Sequence, residues 1–125
     1  MAVHIIIAME KELISKSGEL FYIMSDTTRL NILLTLLDDN KCCCHDEGCS
    51  CGCCEHKTCM IQKSVLEISS LIHASQSLVS HQLKVLKDAN IVAVEKQGTR
   101  RPYSLKDGHI KQLLNVVFEH VKEEQ

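Results

Sequence analysis

A chain of 125 residues, 45% apolar and 24% charged, has room for one core and none for a separate catalytic domain; the balance is that of a globular protein, not a disordered or membrane one. Its eight cysteines come without the basic-then-apolar leader of an exported chain, so a cytoplasmic protein is expected, with thiols that serve metals or redox chemistry instead of disulfides. The net charge of −2 argues against a nucleic-acid partner until its distribution is read: residues 60–105 carry six basic residues against three acidic ones, a local +3 of the kind that phosphate neutralisation needs.

Near the start the longest apolar run, Ile5 to Met9, is far short of the ~20 residues of a membrane span, so no membrane partner is expected. Leu13, Leu20, Ile23 and Met24 recur at roughly helical spacing and predict a first helix over Met9 to Met24, weakened by Gly18. Ser25 and Asp26 offer an N-cap to a second helix, about Thr27 to Asp38, whose Leu30, Leu33, Leu34 and Leu37 form an i, i+3, i+4, i+7 stripe for the core. Residues 41–60 then break the pattern, with two glycines and all eight cysteines, and read as a metal-organised insert within a single domain spanning 1–125.

Helical periodicity returns over Val65 to Ile72 and, after His73, Ala74 and Ser75, over Gln76 to Ala89; two helices joined by a three-residue turn predict a helix-turn-helix. Ser75 can cap the second helix, which turns Val79, Leu83 and Leu86 inward and Gln76, Ser77, Ser80, His81 and Lys84 outward. Asn90 suits a left-handed cap. Ile91 to Glu95 and Arg101 to Leu105 read as strands of a hairpin wing around residues 96–99, with Pro102 facing an edge because it has no N–H to give a ladder. A last helix, about Asp107 to Glu123, carries an apolar stripe of Ile110, Leu113, Leu114, Val117 and Val121. The fold class expected is mainly α with a small β-hairpin.

Short donors and acceptors such as Gln76, Ser77, Ser80 and His81 can approach base edges in a major groove, while Lys84, Arg100 and Arg101 would hold phosphates of double-stranded DNA. The alternative for the same pattern is a helical bundle with a solvated polar face. The string Ser75-Gln76-Ser77-Leu78-Val79-Ser80-His81-Gln82-Leu83-Lys84-Val85-Leu86-Lys87-Asp88-Ala89-Asn90-Ile91-Val92 resembles the recognition region of the ArsR/SmtB family of metal-sensing repressors. The similarity extends to Ser25-Asp26-Thr27-Thr28-Arg29-Leu30 and to Gly98 with Tyr103-Ser104-Leu105, and so covers most of the chain outside the insert. The resemblance implies a homodimer of winged helix-turn-helix halves that binds operator DNA and releases it on binding metal. Thr27 stands where the family usually has proline and Asn90 where it usually has glycine, and both suit the local backbone. Ser64 and Leu66 replace the Cys-Xaa-Cys pair with which some members sense metal, so that site is absent.

Asp107, His109, His120 and Glu123 supply the nitrogen and oxygen donors that zinc accepts. His109 and His120 lie eleven residues apart, within ~20° of one helix face but ~16 Å apart along the axis, so one ion cannot join them within a helix. The four converge only if two such helices run antiparallel about a two-fold axis, which gives two sites per dimer and a use for the apolar stripe. Such closed four-ligand sites are regulatory, and a non-enzyme is expected; the resemblance implies the same donor pattern for members that sense zinc on this helix. Glu124 competes with Glu123, since both i+3 and i+4 share the face of His120. The competing view of these residues is of solvated side chains on an amphipathic helix.

Cys42, Cys43, Cys44, Cys49, Cys51, Cys53, Cys54 and Cys59 hold more soft donors than one four-coordinate ion can use, and favour bridged clusters or Zn, Cd or Cu(I), among which softness alone does not choose. Cys51 and Cys54 form a Cys-x-x-Cys pair, without the strand-then-helix setting of a redox motif. Two rival functions stay open: a thiol-based sensor of Cu(I), cadmium or arsenite through this loop, and a metal buffer or carrier without DNA binding.

Overall fold

The computed structural model describes residues 2–37 and 62–124; the cysteine insert lies outside the described residues. The element order is α1 (Ala2–Met24), α2 (Thr27–Leu36), α3 (Val65–Ile72), α4 (Gln76–Asp88), β1 (Val92–Val94), β2 (Tyr103–Leu105) and α5 (Gly108–Glu123). Helices α2, α3 and α4 pack on one another around Ile32, Leu33, Ile68, Val79, Leu83 and Leu86, all fully buried, and β1, β2 and α5 close this core with Val92, Leu105 and Leu114. Among the described residues no helix is long and apolar enough to cross a membrane.

Helix α1 starts seven residues before the expected Met9. Its C-terminal end reaches the core through Leu20, Ile23 and Met24, while Met9, Leu13, Ile14, Phe21 and Tyr22 are exposed. Asp26 caps α2, its Oδ2 accepting from the Arg29 backbone N–H at 3.0 Å. The expected stripe on α2 needs correction. Leu33 and Leu37 are buried and Leu30 packs half-buried against the core as expected, but Leu34 is 52% exposed and Ile32 and Leu36 are buried in its place, so the core face is turned toward Ile32 and Leu36. The reason is tertiary: α2 is covered by α3, α4 and β2, which meet the side bearing Ile32 and Leu36, whereas a leucine-only pattern passes over the isoleucine.

Ser64 and Glu67 form a capping box at the start of α3: the Ser64 hydroxyl oxygen accepts from Glu67 N–H at 3.2 Å and Glu67 Oε1 accepts from Ser64 N–H at 3.4 Å. His73 ends the helix in the left-handed region (φ 57°), and Ser75 starts α4 by accepting from Leu78 N–H at 3.1 Å. Asn90 takes the left-handed conformation expected of it (φ 60°).

Strands β1 and β2 are antiparallel with Val92 opposite Leu105 and Val94 opposite Tyr103, shorter than the two five-residue strands expected. Pro102 is the cause, and its expected place at an edge is also corrected. Its carbonyl faces β1 and accepts from Glu95 N–H at 3.1 Å, but the ring nitrogen returns no bond, so the regular ladder stops at Tyr103. On the other side of β2, Tyr103 exchanges both backbone bonds with Lys63, at 2.9 and 2.7 Å, so the chain returning from the insert makes a one-residue third strand. The Lys63 ammonium then donates to the Thr35 carbonyl in the last turn of α2.

Candidate functional site

Burying Val79, Leu83 and Leu86 fixes the rotation of α4, and the same rotation leaves Gln76, Ser77, Ser80, His81 and Lys84 exposed along its outer face. Capping by Ser75 offsets the unsatisfied donors of the first turn, where Gln76 and Ser77 sit. The hairpin turns through Gly98 (φ 63°), a left-handed position that favours glycine, and Gln97 and Arg100 exchange backbone bonds of 2.9 Å each. Arg100 and Arg101 are exposed beyond that turn. They line, with Thr99 of the wing and Gln76 of α4, a cleft of about 670 Å³ closed on its third side by Val65 and Glu67 of α3. Of the expected DNA-facing residues, Gln76, Arg100 and Arg101 border this one cleft, while Ser77, Ser80, His81 and Lys84 lie on the exposed face of α4 outside its lining.

The four donors on α5 are not brought together within the chain. Asp107 is the N-cap, its Oδ1 accepting from His109 N–H at 3.0 Å and Ile110 N–H at 3.1 Å, and His109 Nδ1 lies 3.7 Å from the same oxygen. At the far end His120 Nε2 lies 3.3 Å from Glu124 Oε1, so the i+4 glutamate, and not Glu123, is the one that meets the imidazole here. His109, His120 and Glu123 are exposed, as is Asp107, and among the described residues no three His, Cys, Asp or Glu side chains cluster. The donor chemistry fits zinc; within one chain the spacing does not. Of the apolar stripe on α5, Ile110 and Leu114 are buried and Leu113 half-buried in the subunit, while Val117 and Val121 are 44% and 48% exposed beside the His120 end. The expected ligands Cys42, Cys43, Cys44, Cys49, Cys51, Cys53, Cys54 and Cys59 lie outside the described residues.

Three residues near the site escaped the sequence reading. Arg29 joins α1, α2 and α4; Gln82, on the inner flank of α4, receives one of its bonds; and Lys63 ties the wing to α2. Arg29 and Gln82 both sit inside the strings that carry the family similarity, the one signal that could have marked them.

A capped helix with a polar outer face, preceded by a short helix and a three-residue turn and followed by an arginine-bearing hairpin, defines a winged helix-turn-helix protein. The family model for bacterial regulatory proteins of the arsR family matches residues 62–94, which contain the whole helix-turn-helix. A cadmium resistance transcriptional regulatory protein CadC homolog of Staphylococcus aureus is 29% identical over 106 residues, 85% of this chain and 70% of the relative. A transcriptional repressor SmtB homolog of Synechocystis is 26% identical over 106 residues, and there the chain spans 64% of the relative's length. Among solved structures, the homodimeric winged helix-turn-helix DNA-binding domain of a possible ArsR-family regulator from Mycobacterium bovis superposes with a TM-score of 0.70 at 17% identity, over 92% of this chain and 86% of that one. Over its helix-turn-helix the chain is thus similar to regulators of the arsR family, and its fold is that of their winged helix-turn-helix domains.

Proposed function

We propose that this protein is a transcriptional repressor that binds operator DNA as a homodimer and releases it when zinc, or a metal of similar ligand preference, binds between the C-terminal helices. The observation that carries the DNA half is the outer face of α4, with Gln76, Ser77, Ser80 and His81 exposed above a buried Val79, Leu83 and Leu86, and Arg100 and Arg101 across the adjoining cleft. Short polar side chains on a rigid helix suit base-edge readout, and the arginines and Lys84 suit the phosphates on either side.

The metal half is supported by donors at the two ends of α5 and exposed valines between them. Two antiparallel copies would bring Asp107 and His109 of one chain to His120 and Glu123 of the other, or to Glu124, which already meets His120. Zinc would supply a fixed four-ligand crosslink between subunits and no reaction. His109 follows the cap that starts α5, and α5 packs on β2 of the wing, so a change in how two α5 helices lie against each other is passed to the wing of each subunit. A coupling of ~1–3 kcal/mol between metal and DNA would weaken operator binding roughly 5- to 150-fold.

The test is DNA binding with and without Zn(II), Cd(II), Cu(I) and arsenite, on the wild type, on His109→Ala/His120→Ala, and on a variant with every cysteine replaced by serine. Loss of the metal response in the histidine variant alone supports the α5 site. Loss in the serine variant alone moves the sensor to the insert. That second reading is favoured by one observation: the chain leaving the insert pairs directly with β2 through Lys63, a short route from a thiolate-bound ion to the wing.

A further inference from the structure

Arg29 is half-buried at the start of α2, and its planar guanidinium spans three helices. Nε donates to the Ile23 carbonyl in the last turn of α1 at 2.6 Å, and Nη1 donates to Gln82 Oε1 in the middle of α4 at 3.0 Å. The arginine's own backbone N–H is held by Asp26. A cleft of about 680 Å³, lined by Lys16, Glu19 and Leu20 of α1 and by Val85 and Asp88 of α4, separates the two helices, and Ile23, whose carbonyl Arg29 holds, is also at its border. Gln82 lies between exposed His81 and buried Leu83, so its side chain is on the flank of α4 where the polar outer face turns into the core.

We propose that Arg29 is a positioning residue for DNA recognition: through Gln82 it sets the pose of α4 against the α1–α2 body, and with it the register of Gln76, Ser77, Ser80 and His81 on the bases. This rests on the reading that α4 reads base edges. A guanidinium fixes angle as well as distance because its donors share a rigid plane, and hydrogen bonds to base edges weaken steeply once that angle is lost. Phosphate contacts tolerate such a tilt far better, since charge attraction has little direction. Loss of the tie therefore degrades sequence-specific binding and spares non-specific binding. With Nε and Nη1 turned inward, Arg29 itself is not placed as a phosphate contact.

The experiment starts by enriching a duplex from a random-sequence pool with the wild-type protein. Affinity for that duplex and for a scrambled one is then measured across salt concentrations, beside thermal stability, for Arg29→Met, Gln82→Met and the double variant. Each single variant should bind the enriched duplex about ten-fold more weakly, the scale of one hydrogen bond to a charged group, and the scrambled duplex within about two-fold of wild type. The double variant should be no weaker than either single one, and the salt slope should not change. Gln82→Met keeps the bond to Ile23 and carries the test if Arg29→Met does not fold. Equal losses on both duplexes with a salt slope lower by about one would make Arg29 a phosphate contact and overturn the proposal, as would wild-type affinity in folded variants. A wild-type protein that enriches no sequence overturns the DNA reading, and this proposal with it.

Discussion

Whether zinc bridges two subunits can be decided by complementation. One variant, Asp107→Ser/His109→Ala, loses the donors at the start of α5; serine is chosen because the Asp107 carboxylate caps His109 and Ile110, and alanine there would weaken the helix by ~1 kcal/mol for reasons unrelated to metal. The other, His120→Ala/Glu123→Ala, loses the donors at the end. Eleven residues separate the two histidines, ~16 Å of helix against ligand distances of ~2 Å, so neither variant completes a site alone. When the two are unfolded and refolded together at equal concentration, about half the dimers are mixed, and each mixed dimer has one site with all four donors and one with none. With the eight insert cysteines replaced by serine in every chain, tight zinc binding should rise from near zero to about a quarter of an ion per chain, against about one per chain for the serine-insert parent with all four α5 donors. Titration against a chromophoric chelator reads that number. A mixture that binds no more than its separate components would refute the bridged site, as would a component that binds a full equivalent alone. Single Glu123→Ala and Glu124→Ala variants in the same background identify the fourth ligand by which one loses tight binding, Glu124 being the one that contacts His120 within the subunit.

Removing the Ser75 hydroxyl (Ser75→Ala) should lower stability in urea by ~1 kcal/mol, since its oxygen satisfies the Leu78 N–H at the exposed start of α4. Leu83→Ala should cost ~2–5 kcal/mol in the same measurement, because Leu83 is fully buried between α4 and the core. Lys84→Ala and Arg100→Ala should each reduce the salt dependence of DNA binding by about one ion without altering the preferred sequence; a changed preference would place these side chains on bases.

The helix-turn-helix was legible to the residue at three of its four helix ends because local chemistry and burial agree there: Ser64 and Ser75 are caps, Val79, Leu83 and Leu86 repeat at helical spacing, and Asn90 fits its left-handed corner. Helix α2 was legible as a helix but not in its rotation, since five of its ten residues are leucine or isoleucine and only the packing of α3, α4 and β2 selects the buried side. The extent of the wing was overestimated because pattern marks where strands are favoured, whereas Pro102 decides where the bonds stop. Of the candidate site, the exposed face of α4 followed from periodicity. The Arg29–Gln82 contact did not, because it joins residues 53 apart and no local spacing encodes it.

The way Lys63 is fastened makes the cysteine cassette removable. Its ammonium grips the end of α2 and its backbone is sewn to Tyr103, so the points where the chain departs and comes home are held by the body itself. Doubling the length of a loop closed in this manner changes its closure entropy by only ~0.6 kcal/mol, so twenty or so residues can be gained, lost or exchanged there while the reading head stays intact. An insert of different length or composition would therefore close at the same seam with the fold unchanged.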